Sequence, residues 1–248
     1  MESWSHVRVI AKREWSAYFN SPIAYVFIVI FLLLCSFFVF SVSRFFEAGE
    51  ADLRALFTWL PWLYLILIPA VAMRLWSEER RSGTIELLFT LSVTPAQAIA
   101  GKFLAAWGFL LLALALTFPL VLTALYLGSP DLGAAACGYL AGALLAAGYL
   151  AVGMFTSALT RNQVISFVLS VVIGLFLVLA GFPPVTDLLS RWAPAWMVEG
   201  VAALSVIPHY ETMQRGIIDL RDIAYFASLV IFALFATHVV LLNRSSTK

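Results

Sequence analysis

Long stretches without any charged residue constrain this chain most strongly. Six such intervals occur, and each has enough apolar residues to cross about 30 Å of hydrocarbon, which takes about 20 residues in a helix. A segment in lipid must satisfy its own backbone hydrogen bonds, so these intervals are expected to be helices. The sequence therefore predicts transmembrane spans at residues 22–42, 55–73, 97–127, 132–160, 163–182 and 223–243; the third span begins before its charge-free interval, residues 103–130, and so includes Lys102 near its first turn.

The composition agrees with a chain whose solvent is lipid. Hydrophobic residues make up 62% of the 248 residues and charged residues 12%, whereas soluble domains carry roughly 25% charged residues. The predicted fold class is an all-α integral membrane protein, with residues 1–248 forming one transmembrane domain. A cleavable signal peptide is not expected, because the first apolar run has full span length. The net charge of +1 gives no argument for nucleic-acid binding.

The first 20 residues predict a helix that lies flat at the membrane surface. Trp4, Val7 and Trp15 share one helical face, while the basic residues at positions 8, 12 and 13 lie off it. An apolar face with aromatic residues beside a basic face is typical of interfacial helices. A merely polar tail is the alternative. Ser21 and Pro22 then predict the N-cap and the first residue of the first span.

Basic residues are distributed unevenly between the two sides of the predicted spans. With six spans both termini share one side, and that side holds ten of the fifteen Lys and Arg residues. The positive-inside rule predicts that this side, with both termini, is cytoplasmic. The basic residues concerned are Arg8, Lys12, Arg13, Arg74, Arg80, Arg81, Lys102, Arg161, Arg244 and Lys248.

Charge is densest between the second and third predicted spans, in residues 77–92, here called the charged loop. Acidic and basic residues alternate with short apolar stretches there, and such a segment must lie in water. We expect it to bind a soluble partner. A simple positive-inside anchor is the alternative, but an anchor needs only basic residues. The candidate binding residues are Glu78, Glu79, Arg80, Arg81, Gly83, Thr84, Ile85, Glu86, Leu87 and Leu88.

Residues 183–221, here called the outer segment, are too polar for a span. Apolar stretches within them are too short to cross the membrane, so short re-entrant helices at the outer face are expected. A surface loop is the alternative, although the segment is long for a connection without structure. Trp192, Trp196 and Met197 are the candidates for an outer gate or a lateral exit.

Two local patterns predict how helices begin and pack. Thr94, Pro95 and Gln97 provide an N-cap, a first helical residue and the third residue of a capping box, so a helix is expected to begin after Thr94. Small residues also recur every four positions in the fourth span, which favours close packing within one bundle over dimerisation. These small residues are Ala134, Gly138, Gly142 and Ala146.

Motifs for catalysis and nucleotide binding are absent from the sequence. A P-loop requires Gly-Lys followed by Ser or Thr, but Gly101-Lys102 is followed by Phe103. The three histidines are scattered, and the two cysteines lie in apolar runs. No Asp, Glu, Lys or Arg falls at mid-membrane depth in a predicted span, whereas ion-coupled transporters normally require such residues there. We expect no enzymatic activity and no cofactor in this chain, and an external source of energy for any transport.

The charged loop and several other motifs resemble those of a known family. Residues 78–88, EERRSGTIELL, and Gly101-Lys102 look like the ABC-2 family of ABC transporter permeases. More narrowly, the chain resembles the gliding-motility-type permeases of bacteria. It is also similar, in residues 83–88, to permeases of nitrous-oxide-reductase maturation. The narrower resemblance rests on residues 21–27, 59–62, 73–76, 160–163 and 219–222.

The resemblance implies a permease subunit of an ATP-driven exporter in a bacterial inner membrane. A separate cytoplasmic ATPase subunit would bind ATP and Mg and dock on a coupling helix in the charged loop. A second permease subunit, identical or different, is implied as a partner within the lipid bilayer. In the gliding-motility type, a membrane-anchored auxiliary subunit is a further candidate partner. No motif is specific for a substrate, and no nucleic-acid partner is implied.

A membrane scaffold or assembly protein without transport activity is the alternative to a permease. The same charged loop could bind any soluble protein, and co-purification with an ATPase would separate these two functions. An intramembrane enzyme is disfavoured, because the predicted spans contain no candidate acid–base pair or nucleophile.

Overall fold

The computed structural model describes residues 2–48, 52–84 and 94–245, and every regular element in these ranges is a helix. The prediction of an all-α chain is therefore confirmed. A π-helical turn, Phe38–Val42, extends the second helix. The α-helices are α1 Glu2–Phe19, α2 Pro22–Phe37, α3 Phe45–Ala48, α4 Arg54–Ala72, α5 Ser77–Ser82, α6 Pro95–Ala115, α7 Phe118–Leu127, α8 Leu132–Leu159, α9 Gln163–Leu179, α10 Pro183–Ser190, α11 Ala195–Ala202, α12 Val206–Gln214 and α13 Leu220–Ser245.

Five stretches of the described chain are long and apolar enough to cross a membrane. The sixth predicted span, 163–182, corresponds to α9, which is bent by 78° from α10 and passes the same test only together with it. The count is therefore five, or six where the bent pair is one span. The five stretches are Pro22–Glu47, Arg54–Ser82, Pro95–Leu127, Leu132–Leu159 and Leu220–Asn243.

Local sequence signals account for several helix ends. The Thr94 hydroxyl accepts from the Gln97 backbone N–H at 3.3 Å, and the Gln97 side chain accepts from the Thr94 N–H at 3.0 Å. The predicted capping box is thus confirmed. The Ser21 hydroxyl likewise accepts from the Ile23 N–H at 3.3 Å, as expected for an N-cap. Pro119 lies at the junction of α6 and α7, where its missing N–H removes one helical hydrogen bond.

Helix α8 is the centre of the bundle, and 67% of its most apolar 18-residue stretch is buried. It contacts α4, α5, α6, α9, α12 and α13. The small-residue ladder on α8 faces α4: a Cβ added at Gly138 would lie 2.5 Å from the Phe57 ring, and one at Gly142 would lie 3.3 Å from Leu60. The ladder therefore serves packing within the chain, as predicted.

Helix α1 packs along α6. A Cβ at Gly101 would lie 2.8 Å from Ile10, so the absence of a side chain allows this approach. The Tyr18 ring stacks on Phe109 with centroids 4.9 Å apart. Only part of the predicted apolar face is covered in this way, because Trp4 is exposed. That the uncovered part lies in the membrane interface stays a prediction.

Candidate functional site

The candidate site lies where α4 ends and the charged loop begins. After Ala72 the chain forms a turn at residues 73–76 and then enters α5. The Ser157 hydroxyl of α8 accepts hydrogen bonds from the backbone N–H groups of Trp76 and Ser77, both at 3.0 Å, and donates to the Met73 carbonyl at 2.9 Å. One buried side chain of the central helix therefore satisfies three backbone groups of the turn.

A buried cation joins α5 to α1 and α6. The Lys102 ammonium lies 2.8 Å from a Glu79 oxygen and 3.4 Å from a Glu14 oxygen, and only 4% of the Lys102 side chain is exposed. The same nitrogen sits 5.2 Å from the centre of the Trp76 ring, within cation–π range. Three helices and the turn thus meet at one charge. Burying such a charge is costly unless counter-charges and hydrogen bonds surround it, as they do here.

The predicted binding residues divide into two groups. Arg80 donates to the Ala158 carbonyl at the end of α8, and Glu79 pairs with Lys102, so both are engaged inside the chain. Glu78 pairs with Arg74 at 3.4 Å and is exposed, and Arg81 is also exposed. The charged loop therefore holds the bundle with one side and presents the other side to solvent.

The described part of the charged loop ends just after α5, at an exposed turn. Gly83 ends α5 in the left-handed conformation, with φ 73° and ψ 6°, which glycine adopts without a Cβ penalty. The hydroxyls of Ser82 and Thr84 lie 2.9 Å apart just beside it. Gly83 and Thr84 are exposed. The remaining candidates, Ile85, Glu86, Leu87 and Leu88, lie outside the described residues.

The outer segment contains α10, α11 and α12, and its first two helices have no buried residue. The side chains predicted to form an outer gate are all exposed: Trp192 is 88% exposed, Trp196 73% and Met197 45%. Helix α12 is different, because the Tyr210 hydroxyl is buried and donates to the Phe57 carbonyl of α4 at 2.8 Å. The outer segment is therefore attached to the bundle through α12.

A cavity of about 760 Å³ opens beside α12, between α4, α9 and the start of α10. Its polar lining includes Arg54, Glu211 and Arg215, and its apolar lining includes Trp62 and Phe182. The volume falls within the range of ligand-binding pockets. The sequence does not predict this cavity, because its walls come from three distant parts of the chain, residues 54–62, 178–183 and 207–215.

The sequence did not predict two polar clusters, one around His209 and Asp222 and the other around Lys102. His209 Nδ1 lies 2.7 Å from Asp222 Oδ1, and the Tyr225 ring stacks on the histidine with centroids 4.2 Å apart. No local pattern signals that pair. The sequence does indicate that Lys102 pairs with another element. No acidic residue lies three or four positions from it on its own helix, so its counter-charge must come from elsewhere in the fold.

No protein-family model matches this chain, and no curated protein matches it.

Proposed function

We propose that this chain is the permease subunit of an ATP-driven exporter of the ABC-2 type that its motifs resemble. The energy would come from a separate ATPase subunit, which binds ATP and Mg and docks on the charged loop. The observation that carries the proposal is the attachment of this loop: α5 is bonded to α8 and, through Lys102, to α6 and α1, while residues 81–84 at its end are exposed.

This attachment is suited to transmitting a push from the loop into the bundle. Displacement of α5 would act directly on α8 through the Ser157 and Arg80 contacts, and on α6 and α1 through Lys102. A loosely tethered loop would absorb the same displacement by local bending. Because α8 contacts most of the other long helices, movement of α8 would reach the opposite face of the bundle.

The exposed side of the loop supplies the chemistry for a partner. Glu78 and Arg81 present charges of opposite sign beside Gly83, so a complementary protein surface would be oriented as well as attracted. The candidates at 85–88 would add an apolar contact. Exposed rim charges mainly affect association rate and orientation, and buried apolar anchors supply most of the affinity.

On the opposite side, the cavity beside α12 is the proposed outer part of the transport pathway. It combines charged and aromatic walls and lies next to α10 and α11, which have no buried residues to restrain them. Movement of these two helices would open or cover the cavity with little loss of packing. Trp192, Trp196 and Met197 would then contact the outer leaflet or the exported molecule.

A second permease subunit is proposed to complete the pathway. Peripheral helices leave large apolar surfaces uncovered. Only 28% of the most apolar 18 residues in Pro22–Glu47 are buried, and only 22% of those in Leu220–Asn243. Such surfaces face either lipid or another membrane protein. The proposed location is a bacterial inner membrane with both termini in the cytoplasm, in accordance with the distribution of basic residues.

The deciding experiment is affinity purification of the tagged full-length chain from its own host in mild detergent. We expect a P-loop ATPase to co-purify and its ATP hydrolysis to be higher in the complex than alone. Arg81→Glu should weaken its recovery, while Arg191→Glu, the same change at an exposed residue of the outer segment, should not. Recovery of partners without any ATPase would refute the permease proposal and favour the scaffold.

A further inference from the structure

A second cavity, of about 330 Å³, lies at the inner corner of the bundle between α1, α2, the end of α4 and α6. The candidate site and this cavity share the side chains of Glu79 and Lys102, but the cavity extends away from the exposed end of α5 toward α2. Its walls divide into a charged end and an apolar end. That division is informative about what the cavity binds.

The charged end contains three carboxylates and two cations. They are Glu14, Glu78, Glu79, Arg74 and Lys102. Lys102 is held between two of the carboxylates, and the Arg74 Nε pairs with Glu78 at 3.4 Å. Arg13 pairs with Glu14 from outside the cavity but is mostly exposed to solvent. The lining itself therefore carries one more negative charge than positive charges.

One oxygen in this cluster has no hydrogen-bond donor. Glu79 Oε1 receives the Lys102 ammonium, whereas Glu79 Oε2 is buried and has no partner among the described residues. A buried carboxylate oxygen without a donor is costly. A ligand group that is both cationic and an N–H donor would satisfy it, and a primary ammonium has three such N–H groups. A quaternary ammonium has none.

The apolar end points toward the membrane interior. Phe27, Val71 and Phe109 line it. Phe109 follows Lys102 by seven residues on α6, which corresponds to about 10 Å along the helix axis. Polar and apolar ends are thus separated along the direction of the spans, as the head and tail of a lipid are.

The cavity opens between α1 and α2. Ala17 and Ile23 line this side and are exposed. Tyr18 also lines the cavity, and burial, helped by Glu14 and opposed by Arg74, raises the pKa of its phenol. The phenol therefore stays neutral at physiological pH and adds no charge to the site. A lipid could enter sideways from the leaflet that contacts α1.

We propose that this cavity binds a phospholipid with a primary-ammonium head group, of the phosphatidylethanolamine class. The ammonium donates to Glu79 Oε2, and the phosphate lies beside Arg74, whose guanidinium has further N–H groups besides the Nε that pairs with Glu78. The upper part of one acyl chain follows the wall formed by Phe27 and Phe109. The bound lipid connects α1 and α2 to the charged loop.

The test is native mass spectrometry of the full-length chain, released from detergent after incubation with equal amounts of phosphatidylethanolamine, phosphatidylcholine and phosphatidylglycerol. We expect retained phosphatidylethanolamine to exceed each of the other two by roughly fivefold or more, because only its head group supplies both an N–H donor and a phosphate. Equal retention of the three lipids would overturn the proposal.

Variants locate the binding site. Ala70→Phe fills the cavity from α4 and should reduce retained phosphatidylethanolamine at least fivefold, whereas Ala227→Phe, on an exposed face of α13, should not. Glu79→Gln should remove the preference over phosphatidylcholine, while Arg81→Gln, which does not line the cavity, should keep it. Where Ala70→Phe fails to fold, Ala17→Trp at the opening replaces it. Unchanged retention in a folded cavity-filling variant would refute the site.

A competition experiment distinguishes a lipid ligand from a soluble amine. Phosphoethanolamine, which has the same head group without acyl chains, should fail to displace the lipid at equal concentration. Displacement would assign the site to a soluble ligand and overturn the lipid proposal. The readout needs no ATPase and no transport, so its failure would leave the proposed permease function untested and intact.

Discussion

The two ends of this molecule differ in how their helical segments are attached. At the inner end, α5 is bonded to α8, α1 and α6 through buried polar groups, among them Ser157 and Lys102. At the outer end, α10 and α11 bury no residue and are connected to the bundle through α12. The difference is in burial: the charged loop is held by buried polar contacts, whereas α10 and α11 have no buried residue. In the proposed function, the first segment transmits displacement and the second moves without disturbing the core.

The largest contrast between the two ends should appear in chemical labelling. With the native cysteines replaced, Ser82→Cys should react with a membrane-impermeant maleimide only from the cytoplasm, and Ser129→Cys only from outside. Both residues are exposed, and the distribution of basic residues predicts that the charged loop is cytoplasmic. Labelling of intact cells and inverted vesicles makes the comparison. The reverse pattern would overturn the assignment of inner and outer ends.

Loss of the buried cation should give the largest effect on stability. In Lys102→Met the carboxylates of Glu14 and Glu79 lose their shared counter-charge. Removing one partner of a buried ion pair typically costs about 3–5 kcal/mol, and about 3 is expected here because both carboxylates keep some contact with water. Thermal unfolding of the purified chain in detergent measures it. Lys12→Met, on the exposed side of α1, is the control. Equal unfolding temperatures of the two variants would contradict the prediction.

Docking of an ATPase should depend on the undescribed part of the charged loop. Leu88→Ala is expected to weaken binding by about 2–3 kcal/mol if that side chain fills a cleft on the partner. Glu86→Lys should also weaken it, because reversing a charge at a desolvated contact replaces attraction with repulsion. Neither change should impair insertion, since the spans satisfy their own backbone. Pull-down of the ATPase measures both. Recovery of the ATPase at the wild-type level by both variants would show that the loop is only a membrane anchor.

The serine that holds the turn should have a smaller effect on stability. Ser157→Ala leaves the N–H groups of Trp76 and Ser77 without their acceptor, which we expect to cost about 2 kcal/mol. Ser170→Ala is the matched control: Ser170 is also buried, but its hydroxyl has no partner among the described residues. That control should be neutral or slightly stabilising. Similar losses in both variants would mean that the turn is held by other contacts.

The smallest effect on stability is expected from the outer segment. Val201→Pro should break α11 locally but change the unfolding temperature of the whole chain by only about 2 °C or less, since no residue of α11 is fully buried. Transport should fall more than assembly does. Loss of pairing with a second permease in cross-linking would show that the segment is an interface and not a gate.

Local features of this fold could be predicted well from the sequence. The N-cap at Ser21 and the capping box at Thr94 need only residues two or three positions apart, so the code is contained in one turn of helix. The helical state of the long apolar intervals follows in the same way, from the requirement that lipid-embedded backbone bonds to itself. The small-residue ladder on α8 was also interpreted correctly, because it recurs with helical periodicity.

The candidate site could be predicted only in part. The sequence located the charged loop, because charge is rare elsewhere, but treated its charges as one outward-facing set. In the structure Glu79 and Arg80 are engaged inside the chain, whereas Glu78 and Arg81 are exposed. The direction of each side chain depends on where α8 and α6 lie, which no local pattern specifies.

The sequence by itself determined that this chain is a set of apolar helices interrupted by one dense charge cluster. Helix formation, capping and hydrophobicity are properties of neighbouring residues, so they can be read along the chain. Only the tertiary structure decided that Lys102 meets Glu14, 88 positions earlier, and that His209 meets Asp222. A buried charge is costly unless it is paired with a counter-charge. Which counter-charge lies close enough depends on how all the helices of the bundle pack, and no local pattern specifies that.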